Sequence, residues 1–209
     1  MAKRIAGHKI DSRTSEKIKL AAKRVFHTKG YAATRTRNIA EEAGINLALL
    51  NYYFKSKEKL FELIVFETMS AFMQNMEKVF NDESTSLEKK VQLMAEKYID
   101  LLLAEPEIPL FILSEMRRNP VGFFQKLSLG QMMMKSAFIR QYLEAASVGR
   151  VNEPNPIHFV MNLMGLIVFP FAASPLLKKI GNFKDPEFHK LMQERKKKIP
   201  LWINTMMKS

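Results

Sequence analysis

The chain has 209 residues, of which 47% are hydrophobic and 26% charged, and its formal net charge is +12. That hydrophobic fraction is sufficient for a folded core and excludes a disordered chain. The absence of cysteine excludes a disulfide framework, a thiolate nucleophile and a cysteine metal site, and with an N-terminus that lacks the apolar core of a signal peptide it predicts a cytoplasmic protein.

The positive charge is concentrated near the N-terminus. Residues 1–61 contain 14 Lys or Arg against 5 Asp or Glu, a net charge of +9, whereas residues 62–209 contain 19 against 16, a net charge of +3. Such an asymmetry favours a polyanion-binding head on a nearly neutral body. A solubilising N-terminus is the alternative that charge alone leaves open.

Apolar residues recur at spacings of three and four almost throughout, which predicts an all-α fold of about nine helices. We expect Ser12 or Thr14 to cap the first helix, Gly30 to end it, and Ser56 to cap the fourth. Pro200 is expected to kink or split the last helix. In chain order, the predicted helices cover about 14–30, 36–43, 46–53, 56–80, 87 to the EPEIP segment at 105–109, 110–118, 121–147, 157–173 and 186–207.

Residues 37–53 have the spacing of a helix-turn-helix. Ala40 is small enough for the point where two steeply crossing helices touch, and Gly44 suits the left-handed backbone of the turn. Three apolar residues are expected to hold both helices on the first: Ile39, Ile45 and Leu50. The second helix of such a motif enters the major groove of DNA. Helical hairpins use the same residue types, so the surrounding basic charge is what favours DNA binding.

The segment TSEKIKLAAKRVFHTKGYAATRTRNIAEEAGINLALLNYYFKSKEKLFELI, residues 14–64, resembles the DNA-binding domain of the tetracycline-repressor (TetR) family. The shared motifs are F…KGY, T.TR.IAEEAGI and L.YYFKSKE.LF. The resemblance implies a helix-turn-helix DNA-binding domain over residues 1–55 and a helical effector-binding and dimerisation domain over residues 56–209. It further implies a homodimeric repressor that binds a pseudo-palindromic operator in double-stranded DNA and is released by a small molecule.

By this resemblance, residues 47–53 form the recognition helix. Tyrosine hydroxyls donate to phosphate oxygens, and a leucine contacts a thymine methyl. Tyr53 in the hydrophobic seam, and Leu47 and Leu49 packed on the first helix, are the alternatives. Lys57 has two interpretations: a phosphate contact, or an exposed position in the first turn of the fourth helix. The residues expected to contact DNA are Thr34, Thr36, Arg37, Asn46, Leu47, Ala48, Leu49, Asn51, Tyr52, Tyr53 and Lys55.

The middle of the body is rich in methionine and phenylalanine, which favours either an adaptable pocket or an ordinary core. If it is a pocket, the effector is expected to be apolar or amphipathic. The candidate effector-binding residues are Tyr98, Phe111, Glu115, Met133, Phe138, Tyr142 and Asn162.

Residues 157–177 contain no Asp, Glu, Lys or Arg, a length sufficient to span a bilayer. Because His158, Asn162, Pro170 and Pro175 interrupt this run, a buried interface helix is the favoured interpretation and no membrane partner is expected. The resemblance implies that the last two long helices pair with their copies in a dimer. The candidate interface residues are Gly165, Phe169, Ala172 and Trp202.

Catalysis finds little support in the sequence. The four histidines are scattered, and the spacings of a metal site, a nucleophile elbow or a phosphate loop are absent. We therefore expect no catalytic residue, metal or cofactor, and we interpret the basic run 195–198 as a solvated helix face. The remaining alternatives are a ligand-independent regulator or activator with the same head, and a helical lipid-binding protein or enzyme with a basic N-terminus.

Overall fold

The computed structural model describes residues 2–127 and 135–208, with side chains from residue 12 onward except that of Phe124. Eleven helices and no strand occur in these residues, which confirms the all-α prediction. By their internal contacts the residues form two compact units, Met1–Met69 and Ser70–Ser209.

The first unit contains α1 (Ala2–Ala33), α2 (Thr36–Glu42), α3 (Leu47–Phe54) and the beginning of α4 (Lys57–Asn81). The predicted start of α1 at Ser12 or Thr14 is wrong, because caps favour a helix start without compelling it and no proline lies upstream to stop the helix. Gly30 does interrupt the helical backbone, with φ 72° and ψ 162°. One face of α1 forms the core of the unit through Ile18, Ala21, Ala22, Val25 and Phe26.

The turn between α2 and α3 has the geometry of the predicted helix-turn-helix. Gly44 adopts φ 60°, in the left-handed region that disfavours a side chain. An added Cβ would lie 3.7 Å from Lys17 Nζ, so the glycine is needed for its backbone angle and not for space. Ile39, Ala40 and Leu50 are buried and Ile45 is half-buried; α2 packs against α1, and α3 packs against α2.

The second unit contains the end of α4 and seven further helices: α5 (Leu87–Ala104), α6 (Ile108–Arg118), α7 (Pro120–Lys126), α8 (Ala137–Ser147), α9 (Pro156–Ala172), α10 (Ser174–Gly181) and α11 (Asp185–Lys208). In its centre α11 packs along α5, and α9 packs against both.

The described helices outnumber the predicted nine for two local reasons. Within the helix expected over 121–147, the described residues form two separate helices, because α7 ends at Lys126 and Ser136 caps a new helix by accepting the Ile139 N–H at 3.3 Å. In addition, α10 follows α9 directly as a helix of its own. Pro200 does not split α11, which continues to Lys208.

Arg195 has a different role from the solvated position that we predicted for residues 195–198. Pro170 lies inside α9 and has no N–H to donate to the carbonyl of Leu166 one turn earlier. Arg195 Nη2 of α11 donates to that carbonyl at 2.7 Å, and the guanidinium lies 5.1 Å from the centre of the Trp202 ring. Burial lowers the pKa of Arg195. The prediction was wrong for this residue because its partner is created by a proline on another helix.

No single helix among the described residues has both the length and the apolar character needed to cross a membrane. Only α9 and α10 taken together meet those criteria, and they are bent by 74° where they join.

Candidate nucleic-acid interface

The local sequence explains how α3 forms and which side it buries. Asn46 caps the helix, as predicted, by accepting the Leu49 N–H at 2.7 Å. Leu50 and Phe54, four residues apart, are the two buried side chains of α3. The exposed positions of α3 are 47–49, 51 and 52.

The outward face of α3 presents five of the predicted contact residues: Leu47, Ala48, Leu49, Asn51 and Tyr52. Tyr52 is 77% exposed, and Leu47 and Leu49 are 37% and 36% exposed. Both leucines are partly covered and partly accessible, so the single chain leaves a portion of each side chain for a further contact. An aromatic, aliphatic and amide surface of this kind suits sugar, thymine methyl and base-edge contacts.

Tyr53 is half-buried between its two aromatic neighbours. Its ring centre lies 5.5 Å from that of Tyr52 and 6.1 Å from that of Phe54. The hydrophobic seam itself is filled by Phe54, which sequence reasoning missed. The spacing of four from Leu50 is the signal that identifies Phe54, because residues four apart share a helix face.

Two predicted cationic contacts lie in the helix-turn-helix, one on α2 and one at the end of α3. Arg37, near the start of α2, and Lys55, at the end of α3, are exposed and form no ion pair with other described residues. By contrast, Arg24 pairs with Glu42 at 2.7 Å. Thr36, the first residue of α2, is half-buried. Unpaired exposed cations are suited to neutralising phosphates.

Thr34 corrects one of the predicted phosphate contacts. It is 2% exposed, and its hydroxyl donates to the Gly30 carbonyl at 2.7 Å. The left-handed backbone at Gly30 leaves this carbonyl outside the regular helical pattern, and the threonine satisfies it. Thr34 therefore stabilises the α1–α2 link, residues 34–35, as a buried residue.

The predicted effector-binding residues do not form one open site. Phe138 and Tyr142 are buried, and their rings contact Phe159 with centres 5.6 and 5.2 Å apart. The Tyr142 hydroxyl donates to the Glu153 carbonyl at 2.7 Å. Because this hydroxyl is already satisfied, Tyr142 is not an available polar anchor.

The other candidates fall into three environments. Glu115 forms a two-point ion pair with Arg118 at 3.0 and 2.6 Å, whereas Asn162 is exposed on α9. Phe111 is half-buried, and Met133 lies outside the described residues. Tyr98 is buried, and its hydroxyl donates to the Met73 sulfur at 4.0 Å. Burial raises the pKa of Tyr98 well above its ordinary value.

A cavity of about 590 Å³ lies elsewhere in the second unit, between the start of α5 and the end of α11. Its lining is mixed in charge and contains none of the seven candidates: Ser86, Leu87, Glu88, Gln141, Glu144, Ala145, Gly149, Arg150, Val151, Asn204, Met207 and Lys208. Among the described side chains, no group of three or more His, Asp or Glu is placed to hold a metal ion.

The candidate dimer residues lie at the surface of the single chain. Phe169 is 62% exposed, Trp202 is exposed and Ala172 is half-buried. A Cβ added to Gly165 would meet no atom within 4 Å. In the single chain, α9 and α11 therefore each carry an apolar side chain that no other part of the chain covers.

Comparison with known proteins places this arrangement in a family. Residues 18–64 match the model of the tetR family of bacterial regulatory proteins. The probable HTH-type transcriptional regulator YttP of Bacillus subtilis (strain 168) is 26% identical over 205 residues, 94% of this chain and 95% of that protein. The fatty acid metabolism regulator protein of the same strain is 28% identical over 108 residues, 52% of this chain and 55% of that protein.

A solved structure shares the fold over most of the chain. The transcriptional regulator FadR from Bacillus subtilis, crystallised in complex with stearoyl-CoA, has a TM-score of 0.57 at 19% identity and covers 91% of this chain and 98% of its own. The family match spans the helix-turn-helix and the first turns of α4, and the relatives are transcriptional regulators, not enzymes. Residues 18–64 therefore form a DNA-binding domain of the tetR family of bacterial regulatory proteins, and the chain is a DNA-binding transcriptional regulator.

Proposed function

We propose that the protein is a homodimeric repressor that leaves a pseudo-palindromic operator when an apolar or amphipathic small molecule binds its second unit. The observation that carries the DNA-binding part is the outward face of α3, with Leu47, Asn51 and Tyr52 exposed. Arg37 near the start of α2 and Lys55 at the end of α3 supply exposed positive charge in the same unit. The repressor direction follows from the resemblance to the tetracycline-repressor family.

The dimer part is supported by apolar side chains that a single chain leaves uncovered. On α9, Ile157, Met161 and Phe169 are exposed, and on α11, Leu201, Trp202 and Met206 are exposed. Large apolar surfaces on neighbouring helices are characteristic of protein interfaces. A two-fold dimer would present two copies of α3 to half-sites about 34–36 Å apart, one turn of DNA.

The effector part is supported by the buried surroundings of Tyr98. Its ring packs against that of Phe72 with centres 4.5 Å apart, and its hydroxyl has only the weak acceptor Met73 Sδ at 4.0 Å among the described atoms. An amphipathic ligand that enters this region would supply a better acceptor. Because a related protein regulates fatty acid metabolism, long-chain acyl compounds are the first effector class to test.

The proposed coupling runs through α4. This helix has 25 residues and is about 37 Å long at 1.5 Å per residue. It begins directly after the recognition helix, and its last residues belong to the second unit. A ligand shifts operator affinity only by its different affinity for the two conformations, and a typical coupling of about 1–3 kcal/mol changes affinity roughly 5- to 150-fold.

The test begins with duplexes that the full-length protein enriches from a random pool. Operator affinity is measured at several salt concentrations, and log K is expected to fall steeply with log salt because bound phosphates release counterions. Affinity is then compared with and without acyl compounds that stabilise the protein in a thermal-shift screen. A stabilising compound that leaves operator affinity unchanged would contradict coupling for that compound. A screen without hits would favour the ligand-independent regulator.

A further inference from the structure

Lys57 lies in the first turn of α4, but its side chain points into the first unit. Its Nζ donates to the carbonyls of Tyr31 and Thr34, each at 3.0 Å, and lies 4.2 Å from the centre of the Tyr31 ring. A lysine ammonium has three N–H donors. Two are used within the chain and an aromatic face covers the group, which leaves little capacity for a phosphate.

The two carbonyls that Lys57 binds lie in an irregular stretch of backbone. Gly30 interrupts α1, and α2 begins with Arg35 as its N-cap, whose carbonyl accepts the N–H of Asn38 at 3.0 Å. The Thr34 carbonyl precedes this cap and lies outside the hydrogen-bond pattern of α2. The Tyr31 carbonyl accepts the Thr34 N–H at 3.3 Å. Lys57 therefore supplies donors that regular secondary structure does not supply here.

Other contacts hold the first turns of α4 against the same link. Glu58 Oε1 accepts from the Tyr31 hydroxyl at 3.4 Å. The Phe61 ring packs on Tyr31 and Phe26, with centres 4.5 and 5.0 Å apart. The link leads directly into Thr36 and Arg37 at the start of α2. Displacement of the link would therefore displace those two residues.

We propose that Lys57 is a positioning residue for operator binding, which fixes the α1–α2 link, and with it the start of α2, to the first turn of α4 instead of contacting a phosphate. It acts through backbone carbonyls, so its loss weakens binding by misplacing α2. If α4 moves when an effector binds, as in the proposed function, the contacts of Lys57 would move the start of α2 with it. This regulatory part of the inference rests on the proposed function.

Salt dependence distinguishes a positioning residue from a phosphate contact. Removing one phosphate contact lowers the slope of log K against log salt by about 0.9. We expect Lys57→Met to weaken binding of the enriched duplex roughly tenfold, equivalent to about 1.4 kcal/mol, at every salt concentration and with the wild-type slope. Lys55→Met serves as the reference that lowers the slope. Lys59→Met, an exposed lysine of the same turn, reports the effect of removing one nearby charge.

A slope for Lys57→Met that falls as it does for Lys55→Met would overturn the proposal, and so would wild-type affinity at all salt concentrations. If circular dichroism shows that Lys57→Met is unfolded, Lys57→Gln replaces it, because the amide keeps two donors without the charge. The slope of log K against log salt is then interpreted in the same way.

A second measurement needs no DNA. Hydrogen exchange by mass spectrometry should show faster exchange over residues 31–39 in Lys57→Met but not in Lys59→Met, and equal exchange in both would reject the link, whether or not the protein binds an operator.

Discussion

At the scale of single residues, polar side chains of the helix-turn-helix divide into those that stabilise the domain and those that face outward. Thr34 and Asn46 donate to or accept from backbone groups nearby, at 2.7 Å in both cases. Arg37 and Tyr52 are exposed. The residue types do not separate these roles, because a threonine can satisfy a backbone carbonyl as well as a phosphate. The local backbone decides between them.

Replacing Thr34 by valine is expected to lower the free energy of unfolding without changing the salt dependence of operator binding. The substitution keeps the shape of the side chain but leaves the Gly30 carbonyl without its donor, which costs about 1–3 kcal/mol. Urea denaturation followed by circular dichroism measures the loss. A variant of wild-type stability with a lower salt slope for operator binding would show instead that Thr34 contacts a phosphate.

Arg37→Ala and Tyr52→Ala are expected to weaken operator binding while leaving the melting temperature unchanged, because both side chains are exposed.

Leu47→Ala is expected to lose base preference at one position per half-site, by roughly 1 kcal/mol if the contact is a thymine methyl. Binding to duplexes substituted at each position measures this. If Leu47→Ala lowers the melting temperature and keeps the base preference, the side chain is part of the core.

Tyr98 provides a prediction about alkaline stability. An unfolded tyrosine ionises near pH 10, whereas burial raises the pKa of Tyr98 in the folded chain. The folded state therefore retains a proton that the unfolded state releases, and the contribution to stability falls as pH rises above 10. Tyr98→Phe should lose less stability between pH 9 and pH 11 than the wild type. Tyr52→Phe, at an exposed position, is the control and should follow the wild type.

At the scale of secondary-structure elements, a side-chain donor on α11 replaces a backbone donor that is missing from α9. Pro170 removes the N–H that would bind the Leu166 carbonyl, and Arg195 Nη2 replaces it at 2.7 Å. The proline is therefore tolerated inside α9 because a neighbouring helix supplies the donor for the carbonyl that it leaves unpaired.

A double-mutant cycle tests this exchange of donors. Arg195→Met should destabilise the protein by about 1.5–3 kcal/mol, the usual loss for a hydrogen bond to a charged group. In a Pro170→Ala background the alanine N–H supplies the missing donor, so Arg195→Met should cost clearly less there. Denaturant unfolding of the four proteins gives the coupling energy. Equal costs in both backgrounds would mean that Arg195 stabilises through its contact with Trp202 alone.

At the scale of the whole molecule, assembly is expected to depend on the apolar side chains that α9 and α11 expose. The resemblance to the family implies a dimer, and Phe169 lies on the uncovered face of α9. A comparably exposed apolar residue, Val121, lies on α7 and serves as a matched control, since it is 67% exposed against 62% for Phe169.

Phe169→Glu should raise the dimer dissociation constant at least roughly 30-fold, because loss of a central aromatic anchor costs about 2 kcal/mol or more. Val121→Glu should leave it unchanged. Sedimentation equilibrium of both variants measures the effect, and circular dichroism confirms that each is folded. Equal weakening by both variants, or by neither, would place the interface elsewhere.

The sequence by itself determined the helical class, the helix-turn-helix and its turn. Helical spacing, Gly44 and the Asn46 cap depend on interactions within a few residues, so local pattern was enough to find them. The exposed positions of α3 followed from the same periodicity, once Leu50 was assigned to the core.

Only the tertiary structure decided the roles of residues whose partners are far away in sequence. Lys57 binds carbonyls 26 and 23 residues earlier, and Arg195 binds one 29 residues earlier. Both looked like exposed cations in the sequence, because periodicity reports which face a residue occupies and not which backbone group lies opposite it. Pro170 deprives the Leu166 carbonyl of its helical donor within α9 itself, but the side chain that lies opposite this carbonyl is determined only when α9 and α11 pack.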